Sequence, residues 1–249
     1  MTVIQLGTSN IYHSSYENSN DKYDLIFCDP PYSQKVAADW DQVNSNETLT
    51  SLREFIEDHL TPNGVVVFTA MQPFTTDVMN TMPRSWFRYS LVWEKTKAVG
   101  HLLSKKRPMS AHEDILVFSP AKLGKHTYNP QFTEGEPYSG QGRAREEASR
   151  RVSAYRGCGG HRNDNPGIRH PRSVLTIPGV ERGWHPTSKP EFLMSWLAST
   201  YTNEGDKVIE PFGGSCPMAK ACNNLNRICH SYEINSEYFE KLRAEFACP

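Results

Sequence analysis

Asp24-Leu25-Ile26-Phe27-Cys28-Asp29-Pro30-Pro31-Tyr32 is the stretch from which the rest of the chain is read. Leu25 to Cys28 is a short apolar run, the pattern of a buried strand in a sheet covered on both faces. Two prolines then end the strand, because they donate no ladder hydrogen bond and fix φ near −65°. The result is a rigid turn at the carboxyl end of a buried strand, where open α/β sheets place their ligands. It offers a carboxylate (Asp29), carbonyls beside prolines and one aromatic face (Tyr32). A flat base with an exocyclic amino group needs that set: the amino hydrogens donate to oxygen and the ring stacks. Taken alone, the same four residues also suit an ordinary surface turn.

Outward from this point the strand signals continue. Thr48 to Leu60 places Leu49, Leu52, Phe55, Ile56 and Leu60 on one helical face, ending at Pro62-Asn63-Gly64. Val65–Phe68, Tyr89–Trp93 and Ile115–Phe118 read as strands, and Gln72–Met82 reads as a helix. A basic link with Lys105-Lys106-Arg107 joins the last two strands. Toward the N-terminus, Val3–Leu6 is a first strand or edge piece, and Gly7–Lys22 is polar and turn-rich. Ser33–Asn46 is irregular, with Trp40 as its one large apolar anchor. This order predicts an α/β fold with a mostly parallel twisted sheet and an antiparallel hairpin at one edge.

From Ala121 to Arg172 the aliphatic periodicity disappears. Between Gln141 and Arg172 stand Arg143, Arg145, Arg150, Arg151, Arg156, Arg162, Arg169 and Arg172 against three acids, a local charge of +5. A solvated loop has such a composition. Arginines interleaved with Tyr138, Tyr155, His161 and His170 also provide what phosphate contact and base stacking require. The overall charge of −1 places any nucleic-acid affinity in this local patch.

Ser188 and Glu191 have the spacing of a capping box, with proline in the first turn, ahead of a helix expected to bury Phe192, Leu193, Trp196 and Leu197. Lys189 at that N-terminus suits an anionic group, or the segment is simply a capped helix. Lys207–Glu210 is a short strand running into the turn Pro211-Phe212-Gly213-Gly214-Ser215, followed by a helix from about Met218. A glycine-rich turn lets backbone approach a cofactor closely, and also serves tight packing. Ile228–Glu233 ends a second strand in a carboxylate, the position from which an acid holds ribose hydroxyls.

A chain of 249 residues with 37% hydrophobic and 22% charged residues suits one α/β domain with an insertion, here 1–249 with 121–173 inserted. No apolar run approaches a membrane span and no signal peptide is apparent, so the expectation is a cytoplasmic protein. Six cysteines without C-x-x-C spacing argue against zinc and a disulfide framework.

With these residues in view, the chain resembles the amino-methylating, S-adenosylmethionine-dependent DNA methyltransferases in the circularly permuted order called the beta class. Asp29-Pro30-Pro31-Tyr32 resembles the catalytic motif and His112–Phe118 the strand motif near the target-base pocket. His185-Pro186-Thr187-Ser188-Lys189-Pro190 resembles the helix-start motif closing the cofactor site. Glu210–Ser215 resembles the cofactor loop and Glu233 the ribose-binding acid. Tyr128–Tyr138 looks like members that methylate adenine, and so does Asp at the first motif position. The departures are Glu210 where the family has Asp, and Cys216-Pro217 where it has glycine and then Thr or Ser.

The resemblance implies a Rossmann-like fold and methyl transfer to the adenine N6 of double-stranded DNA by base flipping. The catalytic residues are then Asp29, Pro30, Pro31 and Tyr32. The cofactor residues are Cys28, Asp29, His185, Thr187, Ser188, Lys189, Glu210, Pro211, Phe212, Gly213, Gly214, Ser215 and Glu233, with Lys189 at the cofactor's carboxylate. The arginines of the insertion would touch DNA. No metal is required by a donor that is already activated, and no membrane partner is expected. Cytosine-N4 transfer, and a DNA-binding protein with a decayed methyltransferase fold, stand as alternatives. A homodimer and a cognate restriction endonuclease stay open as partners.

Overall fold

The computed structural model describes residues 2–32, 45–139, 164–179 and 184–247. The expected irregular stretch around Trp40 lies mostly outside them. The chain divides into two compact units, one of residues 1–129 with 173–249 and one of residues 130–172.

In the larger unit, β1 (Thr2–Leu6) and β2 (Ser9–His13) form a hairpin, and β3 (Tyr23–Cys28) carries the apolar run before Asp29. Helix α1 (Ser45–His59) leads into β4 (Leu60–Ala70), and α2 (Phe74–Thr81) leads to β5 (Phe87–Val99) and β6 (Ser110–Phe118). In the smaller unit, β7 (Thr133–Glu134) and β8 (Tyr138–Ser139) pair with β10 (Ile168–Arg169) and β9 (Asp164–Asn165) respectively, both antiparallel. The larger unit resumes with β11 (Val174–Thr176), α3 (Glu191–Tyr201), β12 (Lys207–Glu210), α4 (Pro217–Asn224), β13 (Ile228–Glu233) and α5 (Ser236–Ala247).

Nine strands form one sheet in the order β1-β2-β13-β12-β3-β4-β6-β5-β11. All neighbours are parallel except β1/β2, β4/β6 and β5/β6. The expected β5–β6 hairpin forms on one side, and β11 adds a parallel strand outside it. A second hairpin, β1–β2, makes the opposite edge. Its β2 lies in the segment expected to be turn-rich, since only Ile11 of its apolar side chains is fully buried and no strand alternation shows.

The strands alternate cleanly between two cores. Leu25, Phe27, Val65, Val67, Ile115, Val117 and Val208 meet α3, α4 and α5 on one face. Ile26, Cys28, Val66, Phe68, Leu116, Phe118 and Ile209 meet α1 and α2 on the other. Both faces are thus covered, as runs of consecutive apolar residues require.

Helix α1 ends at His59, just before Pro62-Asn63-Gly64 as expected; those three residues lie inside β4, where the register against β3 shifts between Tyr23 and Leu25 and Thr61 donates to Asp24. One local expectation is corrected. In α3, Phe192 is 67% exposed; Leu193, Met194 and Leu197 face the core instead.

Strands β12 and β3 are parallel neighbours, yet β12 continues through α4 to β13 on one side and β3 continues to β4 on the other. Their carboxyl ends therefore form a topological switch point, where such sheets open a crevice. Asp29 follows β3 and Pro211 follows β12 at that crevice.

Candidate active site

A cavity of about 380 Å³ lies at the switch point, within the range of small-molecule sites. Asp29–Tyr32, Thr187–Lys189, Glu210–Ser215, Glu233 and His185 all line it. The structure thus brings the expected catalytic and cofactor stretches into one space. Cys28 does not line it: its side chain is buried in the α1/α2 core, one residue before the turn.

On the β3 side, one oxygen of Asp29 accepts hydrogen bonds from the hydroxyls of Tyr32 (2.8 Å) and Thr69 (2.5 Å). The other accepts from the Lys189 ammonium at 2.5 Å. Lys189 is also 3.6 Å from Glu113, which is bound in turn by Lys95 from β5. The four charges alternate in sign, Lys95–Glu113–Lys189–Asp29, so the cluster is neutral overall. Burial alone would lower the Lys189 pKa, but the carboxylates of Asp29 and Glu113 outweigh it and hold the pKa above the ordinary value. The Tyr32 ring stacks on Phe74 at 5.1 Å with a 23° interplanar angle. Burial, then the charges of Asp29 and Glu113, push its phenol pKa well up, so it stays a donor.

In the segment before α3, Lys189 lines the cavity and its ammonium bonds the carboxylate of Asp29. No capping box forms: Pro190 is the cap residue and makes no side-chain bond. Pro190 is extended (φ −63, ψ 133); the Ser188 hydroxyl meets that of Ser215 at 2.6 Å, while Glu191 accepts from Asn224 on α4. His185 packs edge-on against Tyr238, and burial lowers its pKa, so it is neutral near pH 7.

On the β12 side, Glu210 is fully buried and accepts from the Met218 amide and the Ser231 hydroxyl (2.6 Å). Burial pushes its pKa up to about 8, against the pull of those two donors. The glycines of the turn are required by close approach. A Cβ on Gly213 would meet the Tyr232 carbonyl at 3.0 Å, and Gly214, at φ +55, lies against His185. Cys216 adopts φ 51, ψ 48, the left-handed region that costs a non-glycine residue about 1 kcal/mol or more. The residue that replaces the family's glycine thus keeps a glycine torsion, with its thiol buried. Pro217 opens α4, where a missing N–H costs nothing. Glu233 accepts from the amides of Gly214 (2.8 Å) and Asn235 (2.7 Å). Burial raises its pKa despite those bonds.

These residues fit S-adenosylmethionine in kind: a carboxylate beside a glycine turn for ribose, backbone free of Cβ atoms for close approach, and aromatic side chains Tyr16 and Phe212 in contact at 5.5 Å. Sequence reading did not single out Thr69, Phe74, Lys95 or Glu113 as site residues. Glu113, a buried carboxylate in an apolar strand, carried a usable signal; Lys95 carried none.

Of the eight arginines, Arg143, Arg145, Arg150, Arg151, Arg156 and Arg162 lie outside the described residues. Arg169 is occupied within its own unit, donating to Asn165 and stacking over Tyr138 at 4.8 Å. Arg172 is exposed. Among the described residues, no helix is long and apolar enough to cross a membrane.

Comparison with known proteins gives the same reading. A family model for N6 and N4 methyltransferases, described as DNA methylase, matches residues 23–244. The type II methyltransferase M.HpaI of Haemophilus parainfluenzae is 29% identical over 237 residues, covering 90% of this chain and 69% of its own. M2.DpnII of Streptococcus pneumoniae is 24% identical over 242 residues, covering 88% and 81%. Among solved structures, the M1.HpyAVI–SAM complex has a TM-score of 0.58 at 21% identity, over 95% of this chain and 99% of that one. The PvuII DNA methyltransferase (cytosine-N4-specific) has 0.62 at 15%, over 96% and 91%. These two likenesses show the shared fold. With the family model spanning nearly the whole chain and the cavity built as described, the chain belongs to the N6/N4 DNA methylase family and is a DNA methyltransferase whose cofactor is S-adenosylmethionine.

Proposed function

We propose that the chain methylates the N6 amino group of adenine in double-stranded DNA, at a base turned out of the helix. The observation that carries this reading is the Asp29 carboxylate, ringed by donors and sharing one cavity with the glycine turn and Glu233. The cofactor supplies an activated methyl group on a sulfonium.

The chain's residues do the rest. An amino hydrogen of the base would replace one of Asp29's present donors, and the Pro30 carbonyl would accept the second. That withdraws the nitrogen lone pair from ring conjugation and aims it at the methyl carbon. The positive charge that methylation would place on nitrogen would lie beside Asp29, which is positioned to stabilise it and to accept the proton the nitrogen then loses. Proximity and a fixed, oppositely charged group supply the acceleration. Phe74 covers one face of Tyr32, so the base would stack on the other. Glu233 would hold the ribose, the Phe212–Ser215 backbone the methionine portion, and the arginines of the insertion the DNA phosphates. Asp at the first position of the motif supports adenine over cytosine. A homodimer and a cognate endonuclease are compatible with this reading and carry no support beyond it.

Transfer of labelled methyl from S-adenosylmethionine to unmodified DNA, followed by nucleoside analysis, tests this. Labelled N6-methyladenine is expected. Labelled N4-methylcytosine would correct the base, and no label with DNA still bound would overturn catalysis.

A further inference from the structure

The β5–β6 hairpin carries a feature that the catalytic site does not use. Every residue from Thr96 to Met109 is exposed. Four of them are large and apolar: Val99, Leu102, Leu103 and Met109, with Leu102 at 86% exposure. Between Lys95 and His112 there is no acidic residue, while Lys97, Lys105, Lys106 and Arg107 are cationic. None of these four pairs with a carboxylate among the described residues. Gly100, at φ +90, starts the tight turn that presents His101–Leu103 at the tip.

The root of this hairpin lies in the Asp29 cluster. Lys95 on one arm binds Glu113 on the other, and Glu113 is bonded to the Tyr32–Lys189–Asp29 group. Only two residues separate Glu113 from Ser110, where the loop begins, so about 10 Å of strand joins the site of chemistry to the foot of the loop, and the Leu102–Leu103 tip lies beyond the Val99–Ser110 pair. That length of strand is about the width of a major groove and roughly three base steps. A duplex with one base held at Asp29 would therefore lie against this loop.

We infer that the β5–β6 hairpin is a DNA-engaging wedge, its Lys and Arg side chains on phosphates and Leu102–Leu103 inserted into the stack beside the flipped base. Turning a base out costs unstacking and leaves a gap. Apolar side chains inserted between base steps recover part of that cost. Charge complementarity selects DNA as the occupant, since the loop carries four cations and no acid and its root is the catalytic cluster. The inference rests on the DNA-methyltransferase reading but concerns a surface outside the cavity.

The test uses the full chain and a duplex carrying the site mapped from wild-type methylation, with the target base either paired or mismatched. Leu102→Ser with Leu103→Ser is expected to slow single-turnover transfer about tenfold or more on the paired duplex and recover to within about threefold on the mismatch, whose base is cheaper to extrude. Lys105→Ala, Lys106→Ala and Arg107→Ala together should weaken DNA binding and reduce the log–log salt slope by about 2–3. S-adenosylmethionine affinity should not change in either variant. A leucine variant as fast as wild type on the paired duplex, or equally slow on both duplexes, overturns the wedge. So does a rate that merely follows a change from dimer to monomer. If wild type methylates no DNA, the enzymatic reading fails, and an unchanged salt slope in the basic variant would still refute the hairpin's contact independently.

Discussion

Replacing Lys189 with methionine removes one ammonium from the Lys95–Glu113–Lys189–Asp29 cluster and leaves two carboxylates sharing a single lysine. Lys189 is only 6% exposed and lies 2.5 Å from Asp29 and 3.6 Å from Glu113. Deleting one member of a buried pair costs about 3–5 kcal/mol, chiefly from the charge left behind. Asp29 keeps two hydroxyl donors and Glu113 keeps Lys95, so the low end, about 3 kcal/mol, applies here. For a chain of this size that lowers Tm by about 6–12 °C. In an Asp29→Asn background the stranded charge is gone, and the same Lys189→Met change should cost about 1 kcal/mol. The coupling in the double-mutant cycle is then about 2 kcal/mol. Urea unfolding of the four proteins without cofactor measures it. Additive costs within about 0.5 kcal/mol would refute the claim that Lys189 acts through Asp29. The cycle also separates the two roles for this lysine: a cofactor-carboxylate ligand would lose S-adenosylmethionine affinity on mutation, whereas a partner of Asp29 loses little.

Asp29→Asn alone should abolish methyl transfer while changing S-adenosylmethionine affinity by less than about threefold, read by calorimetry. Glu233→Gln should weaken cofactor binding by roughly tenfold or more, since a charged acceptor for ribose is replaced by a neutral one; unchanged affinity would remove Glu233 from the ribose. For Glu210 the folded pKa of about 8 lies above the unfolded value. The native state thus keeps a proton that the unfolded chain has lost between about pH 4.5 and 8. Stability contributed by this group is present at acid pH and falls as pH rises through that window, by up to about 1.4 kcal/mol per unit. Glu210→Gln should flatten that slope in cofactor-free protein, and an unchanged slope would show the proton lies elsewhere.

The sequence made the centre of the sheet legible because β3, β4 and β6 are buried on both faces and read as unbroken apolar runs. Edges were harder. Ser9–His13 has one deeply buried apolar side chain, and the Pro62-Asn63-Gly64 signal marks an irregularity inside a strand. At the site, the residues lining the cavity were readable as motifs, whereas their partners were not. Lys189 was placed by motif but its contact was not, since its partner Asp29 stands 160 positions away in the sequence. Lys95 meets Glu113 only through a hairpin whose register shifts between Glu94 and Val99, and such shifts leave no mark on periodicity. At Cys216 the departure from the family's glycine was legible in the sequence, whereas the left-handed torsion that the cysteine retains is seen only in the backbone.

The position of β12 has a consequence for how the chain is made. This strand sits between β13 and β3, in the middle of the sheet, yet it comes from residues 207–210. During synthesis β3 emerges early and must wait for about 180 further residues before its inner neighbour exists, roughly 10–40 s at ordinary elongation rates. Through that interval the apolar edge Leu25–Cys28 is open on one side, a template for pairing with another chain. The catalytic turn therefore leaves the ribosome about 180 residues before the strand that encloses it, and the exposed edge beside it is the part of the nascent chain that a chaperone shielding strand edges would cover.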